Sequence, residues 1–337
     1  MRLNEKDSPA NAPLGQPQRM VVGEPAPSFL SLEVPNQECV AIAEIVRKET
    51  GQEPTGFAPI DKLGMSNKVL IVSTTSGRLV VRTNSVGHLP KYQKEAWCLR
   101  KAHDVGIPVP LVIACGSTAG LSYSISRYIE ESLPIDERFD HQRVWTVLGG
   151  YAARLNSIPI TGCGSEMLSA GRFKHSWEQE LGAELAIVFR DDFWRQSGLL
   201  SATQVSEVRR EIENCALIQA NSGVCHWDIG LNNARIRHYN YADIFLLDLE
   251  FSLAAPVPHY QLACVAQPHG ASSPEMKAFT AGYGIPDETL AEISPDLERL
   301  VVLKCMRSVR WAQDRRPEHV VSLTKKAGSV IFSLLET

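Results

Sequence analysis

Two neighbouring segments constrain this chain more than anything else in it. Residues 224–236 read VCHWDIGLNNARI and residues 244–251 read IFLLDLEF. Together they set His226, Asp228, Asn233, Asp248 and Glu250 in one order. Asp228 and Asn233 sit on one tight loop, and a hairpin over residues 234–248 can return Asp248 to their side. Phosphoryl transfer from a Mg-nucleotide requires such a set: a carboxylate to orient the attacking hydroxyl and accept its proton, and a second carboxylate plus an amide oxygen to hold Mg2+ on the phosphates. Asp228 suits the first role; Asn233 and Asp248 suit the second. Turn formation and strand capping could explain each residue alone, but not all three in this order.

The rest of the chain supplies a frame. A helix over 37–50 stops at Gly51, and β-rich runs 68–75 and 78–84 are joined by Ser76-Gly77 as a hairpin. A helix over 91–104 and strands over 111–115 and 121–129 complete an antiparallel sheet with one inserted helix. Helical periodicity then dominates, near 142–156, 176–190, 203–219, 296–313 and 319–335. A small β lobe before a larger helical lobe predicts a ligand cleft between them. Residues 1–34, broken by Pro9, Pro13, Pro17, Pro25 and Pro27, read as a disordered tail with no secretory signal.

Composition bounds the function. A chain of 337 residues can bury a core without staples, and no apolar run is long enough to span a membrane. The net charge of −4 argues against a dedicated nucleic-acid binder. The eight cysteines are scattered, with no metal-site spacing, and read as reduced thiols of a cytoplasmic protein.

On the loop and strand quoted above, the sequence resembles the aminoglycoside phosphotransferase and choline kinase family, whose catalytic loop has the form H-G-D-x-x-x-x-N and whose next strand ends in I-D-W/F-E. The resemblance implies an α+β, protein-kinase-like fold: a nucleotide-binding lobe over 35–128 and a catalytic, substrate-binding lobe over 129–337. It makes Asp228 the catalytic base, Asn233 and Asp248 the Mg2+ ligands, and His226 a brace of the loop. Upstream, LGMSNKVLIV (63–72) is similar to the family's nucleotide loop, which implicates Ser66 and Asn67, although any hairpin could carry them. Arg82 in RLVVRTN stands where the family has a strand lysine, and Glu95 in KYQKEAW stands where its carboxylate partner is found; the plainer alternative for Glu95 is a surface position. SYSISRYIEE matches the hinge, where backbone groups of Arg127 and Ile129 would meet adenine, and Asn156 replaces the usual His of the helix that follows. Within the family, LVVRTN, LSYSISRY and the Gly-Leu-Asn-Asn approach to Asn233 look closest to hygromycin B phosphotransferases.

The chain also departs from the pattern. Trp227 replaces the usual Gly, and after Glu250 the residues Val257 and Gln261 stand where acids are expected. Loss of the second acid, which braces the loop from behind, predicts a less rigid loop. On the substrate side, Asp191, Asp192 and Glu250, with Glu178, Glu180 and Glu184 nearby, could read the ammonium groups of a polycationic acceptor; the alternative is a solvated helix face. Arg307, Arg310, Arg315 and Arg316 could meet an acidic acceptor or form surface ion pairs. The expectation is therefore an ATP- or GTP-dependent phosphotransferase, monomer or weak dimer, acting on a hydroxyl of an aminoglycoside-like antibiotic or related natural product. The alternatives are a choline, homoserine or sugar kinase, or an inactive kinase-like binding protein. A protein kinase is disfavoured, because G-x-G-x-x-G and A-P-E segments are absent.

Overall fold

The computed structural model describes residues 36–60, 67–118, 120–215, 217 and 220–336. The predicted tail, and Gly64 and Ser66 of the nucleotide loop, lie outside the described residues. The fold begins with α1 (Asn36–Thr50), β1 (Pro54–Pro59), β2 (Lys68–Thr74), β3 (Gly77–Ser85), α2 (Leu89–Asp104), β4 (Val112–Thr118) and β5 (Leu121–Arg127). These strands form one antiparallel sheet in the order β1-β2-β3-β5-β4. The predicted strand-strand-helix-strand-strand order holds, with β1 added at the edge. Pro54, Gly56 and Pro59 hide β1 from a propensity reading, yet an edge is where a missing N–H is tolerated.

Period-2 alternation divides β3. Leu79 and Val81 join Ile42, Ile45 and Val46 of α1, with Leu70, Val72, Tyr123 and Ile125, in a first core. Arg82, in register with Ser124, points to the other face, toward α2. Trp97, Cys98, Leu99 and Ala102 of α2 belong to the larger second core, so this helix packs on both bodies.

The second body contains β6 (Ser132–Pro134), α3 (His141–Asn156), β7 (Cys163–Ser169), β8 (Arg172–His175), α4 (Trp177–Val188), α5 (Phe193–Gln196), α6 (Ala202–Glu213), β9 (Ser222–Cys225), β10 (Ala234–Arg237), β11 (Ile244–Leu246), β12 (Leu253–Pro256), α7 (His259–His269), α8 (Pro274–Tyr283), α9 (Asp287–Arg315) and α10 (Val320–Glu336). Helices α3 and α8 meet backbone to backbone. A Cβ on Gly149 would lie 2.1 Å from the Phe279 carbonyl oxygen, and one on Gly282 would lie 1.8 Å from that of Thr146. Only glycine permits this approach. Capping boxes at Ser176/Gln179 and Ser201/Gln204 start α4 and α6. The helix expected over 203–219 stops at Glu213, and the one expected from 296 begins at Asp287 and carries Pro295 within it. Sequence reasoning missed α7. Leu262, Ala263, Val265 and Ala266 are all buried, so the segment shows no amphipathic period.

All eight cysteines are free thiols. Among the described residues, no helix is long and apolar enough to cross a membrane.

Candidate functional site

The site is built on the loop from β9 to β10. His226 is buried, and its Nε2 donates to the Leu247 carbonyl at 2.9 Å while its Nδ1 accepts from the Asp228 N–H at 3.2 Å. This pattern fixes a neutral imidazole, in keeping with burial, which pushes the His226 pKa down. Behind the loop, Gln261 of α7 accepts from the His226 N–H at 2.9 Å and donates to the His226 carbonyl at 3.3 Å. The expectation of a looser loop is therefore corrected. A carboxylate at position 261 could only accept, whereas the amide satisfies both backbone groups of His226.

Asn233 closes the loop. Its Nδ2 donates to the Asp228 carbonyl at 2.8 Å and to Asp228 Oδ2 at 3.0 Å. The expected hairpin then forms, with Ala234 paired to Leu246 and Ile236 to Ile244. The Leu247 N–H reaches the Asn233 carbonyl at 2.8 Å, which delivers Asp248 beside the loop. Asp248 takes a left-handed conformation, φ 56 and ψ 58. Among the described residues its carboxylate makes no hydrogen bond or ion pair. Protein packed around it pushes its pKa up, and the Arg82 charge opposes that shift.

Above the loop, Arg82 is bound to Glu95, as the sequence anticipates. Burial opposes the Arg82 charge, and Glu95 together with Glu250 more than offsets it. Lys94, the neighbour of Glu95, is buried and donates to the carbonyls of Ser252 at 2.6 Å and Ser165 at 3.1 Å. Helix α2 thus grips the β3 cation with one side chain and the exit of the Asp248 segment with the next.

A sequence profile of the phosphotransferase enzyme family matches residues 59–295, more than half of the chain. The chain belongs to this family. No curated protein matches it. Among solved structures, this phosphotransferase is similar to a thermostable mutant of aminoglycoside phosphotransferase APH(4)-Ia in its apo form, at 16% identity and a TM-score of 0.64, covering 88% of this chain and 100% of that one. It is similar also to a putative fructosamine-3-kinase from Haemophilus somnus, at 13% identity, TM-score 0.60, and 86% and 96% coverage. A third likeness is spectinomycin phosphotransferase APH(9)-Ia, at 14% identity, TM-score 0.55, and 88% and 98% coverage. At such identities the shared property is the α+β, kinase-like fold.

Several expected site residues of this phosphotransferase are engaged elsewhere. Asn67 Nδ2 donates to Glu250 Oε2 at 2.6 Å, and its Oδ1 accepts from Asn84 Nδ2 at 2.9 Å and Tyr92 Oη at 3.0 Å. Its amide is spent inside the protein and not turned to phosphate. Glu250, expected on the acceptor side, is 2% exposed. Besides Asn67 it bonds His88 Nε2 at 2.8 Å, and Arg82 Nη1 lies 3.8 Å away, so it ties the Asp248 segment to the β-rich lobe. At the hinge the Arg127 N–H is used by the Leu111 carbonyl at 2.9 Å, while the Ile129 N–H has no partner among the described residues.

The proposed acceptor acids also have resident partners. Asp191 lies 2.8 Å from Arg310 Nη2, and Asp192 accepts from Arg195 Nε at 2.8 Å. Glu180 meets His175 at 2.9 Å and Glu184 meets Arg307 at 2.5 Å. Trp177 and Trp194 are core residues. Sequence reasoning missed His88 and Lys94, whose partners lie 162 and 158 residues away. No local signal marks either one.

Proposed function

We propose that this phosphotransferase moves the γ-phosphoryl group of Mg-ATP or Mg-GTP to a hydroxyl of an aminoglycoside-like antibiotic or related natural product. The juxtaposition of Asp228, Asn233 and Asp248 carries the reading. The donor set fits a hard cation. Asn233 has its Nδ2 committed to Asp228, which leaves Oδ1 for a metal, and the Asp248 carboxylate has no partner among the described residues. Two protein oxygens suit Mg2+, which keeps waters and phosphate oxygens as its other ligands. When bound, the ion would neutralise charge on the β- and γ-phosphates.

In this reading Asp228 accepts a hydrogen bond from the acceptor hydroxyl and takes its proton as the oxygen bonds to the γ-phosphorus. The bond from that phosphorus to the bridging oxygen breaks, and the nucleoside diphosphate leaves. A positioned base of this kind typically contributes about 10²–10⁴-fold. Arg82, held by Glu95, offers its guanidinium to the phosphates, and the Ile129 N–H faces the adenine or guanine edge. Neighbours captured with ADP and hygromycin B, and with ADP and spectinomycin, support this class of substrate.

One observation favours a second reading. Asp191, Asp192 and Glu184 are each paired with an arginine and Glu180 with His175, which leaves Glu178 as the acid of this group with no ion pair among the described residues, little for several ammonium groups. That favours an acceptor of low charge, of the choline, homoserine or sugar type.

The test incubates the protein with Mg-ATP and Mg-GTP against aminoglycosides that include hygromycin B, with spectinomycin, choline, homoserine and simple sugars, and follows acceptor mass. Gain of one phosphoryl group on an acceptor, lost in Asp228→Ala while nucleotide still binds, is the expected result. Normal turnover by Asp228→Ala would overturn the assignment of the base.

A further inference from the structure

Lys304 of α9 is 4% exposed. Its Nζ lies 3.4 Å from the centroid of the Trp227 ring and 5.4 Å from that of Tyr260, and its charge acts on the nearby Cys264 thiol. Among the described residues no carboxylate lies within ion-pair distance of it; Glu184 of α4, the acid that acts on it at longer range, is engaged by Arg307. Burying an ammonium is costly unless something replaces its water. Here two ring faces do so, and an indole face is the best aromatic partner for a cation. An apolar side chain would fill the same space without that cost, so packing alone does not account for a lysine.

Trp227 immediately precedes Asp228. His226 on its other side is held by Leu247 and Gln261, and Asp228 itself by Asn233. Among the described residues Trp227 makes no hydrogen bond, and the ammonium over its ring face is the polar contact that holds it. We propose that Lys304 is a positioning residue: its ammonium fixes the plane of the Trp227 indole and, through it, the backbone that aims Asp228. This rests on the phosphotransfer reading for its effect on rate, though not for its effect on the loop. A misplacement of about 1 Å at a reacting group can cost about 10²-fold in rate.

The experiment compares Lys304→Met, Lys304→Arg, Trp227→Gly and the Lys304→Met/Trp227→Gly double variant with the parent. Backbone amide exchange of the peptide spanning residues 224–233 reads the loop, and hydrolysis of Mg-ATP, with water as acceptor, reads the chemistry. Exchange in that peptide is expected to quicken in Lys304→Met and in Trp227→Gly, to stay near the parent in Lys304→Arg, and to quicken no further in the double variant. Lys304→Met is expected to lower kcat for hydrolysis about tenfold or more at nearly unchanged KM, with Lys304→Arg largely restoring it. Unchanged exchange in Lys304→Met would overturn the proposal. So would exchange that quickens evenly over the whole helical lobe, or additive effects in the double variant. Nucleotide hydrolysis absent from the parent as well would count against the phosphotransfer reading, and the exchange pattern would still decide the role of Lys304.

Discussion

Replacing Gln261 by glutamate would put an acid where the family resemblance expects one, and the structure says it should weaken the protein. Gln261 is fully buried and uses both ends of its amide on His226, accepting at 2.9 Å and donating at 3.3 Å. In Gln261→Glu an ionised carboxylate keeps the first bond and loses the second. It also sets an oxygen against the His226 carbonyl. A lost neutral hydrogen bond contributes about 0.5–1.5 kcal/mol and a buried group left unsatisfied about 1–3 kcal/mol, so the cost should be about 1.5–4.5 kcal/mol at pH 8. The cost should depend on pH. Burial raises the folded-state pKa of the introduced carboxyl above its unfolded value of about 4.3. The folded variant therefore binds its proton more tightly than the unfolded chain does. Stability relative to the parent is retained at low pH and lost as pH rises from about 4.3 through the raised folded value. When protonated, the carboxyl O–H can donate to the His226 carbonyl, and the pair is whole again. Urea unfolding followed by tryptophan fluorescence, parent against variant at pH 5 and pH 8, measures both effects. A variant as stable as the parent at pH 8 would refute the reasoning. It would mean that an acceptor alone suffices behind the loop.

Further outcomes follow from other contacts. Gly282→Ala would place a methyl 1.8 Å from the Thr146 carbonyl oxygen and force α3 and α8 apart, at a cost of about 1–3 kcal/mol. Gly182→Ala, on α4 with open space around it, should instead gain about 0.5–1 kcal/mol, and equal melting shifts in the two variants would undo the argument. Asp248→Ala should abolish the Mg-dependent rise in melting temperature on adding ATP; an undiminished rise would remove Asp248 from the metal site. Glu250→Gln should destabilise the protein by about 1.5–3 kcal/mol, because His88 and Asn67 lose a charged acceptor. A Glu250→Gln variant with parental stability and a changed acceptor KM would return Glu250 to the substrate side.

What could be read from the sequence is what lies close along the chain or recurs with a regular period. The Asp228–Asn233 loop and the hairpin that returns Asp248 close over a short span, so spacing and alternation were enough to place them. The β2–β3 hairpin was legible for the same reason, through Ser76-Gly77. Arg82 and Glu95 were paired by resemblance, and their contact is present. The roles of Glu250, Asn67 and Gln261 were not legible, because each depends on a partner brought in by the fold. The resemblance to the family pointed to an acid at 261, where the chain has glutamine. Only the docking of α7 behind the loop decided that an amide there makes two bonds instead of one. Likewise the chain displayed Asp191, Asp192, Glu180 and Glu184 as free negative charge, and packing beside α9, β8 and Arg195 supplied their partners. Composition and local pattern fix which groups exist and which can meet within a turn or a hairpin. Which groups remain available to a ligand is settled by contacts between distant segments, whose free energy comes from burial that no local window of sequence contains.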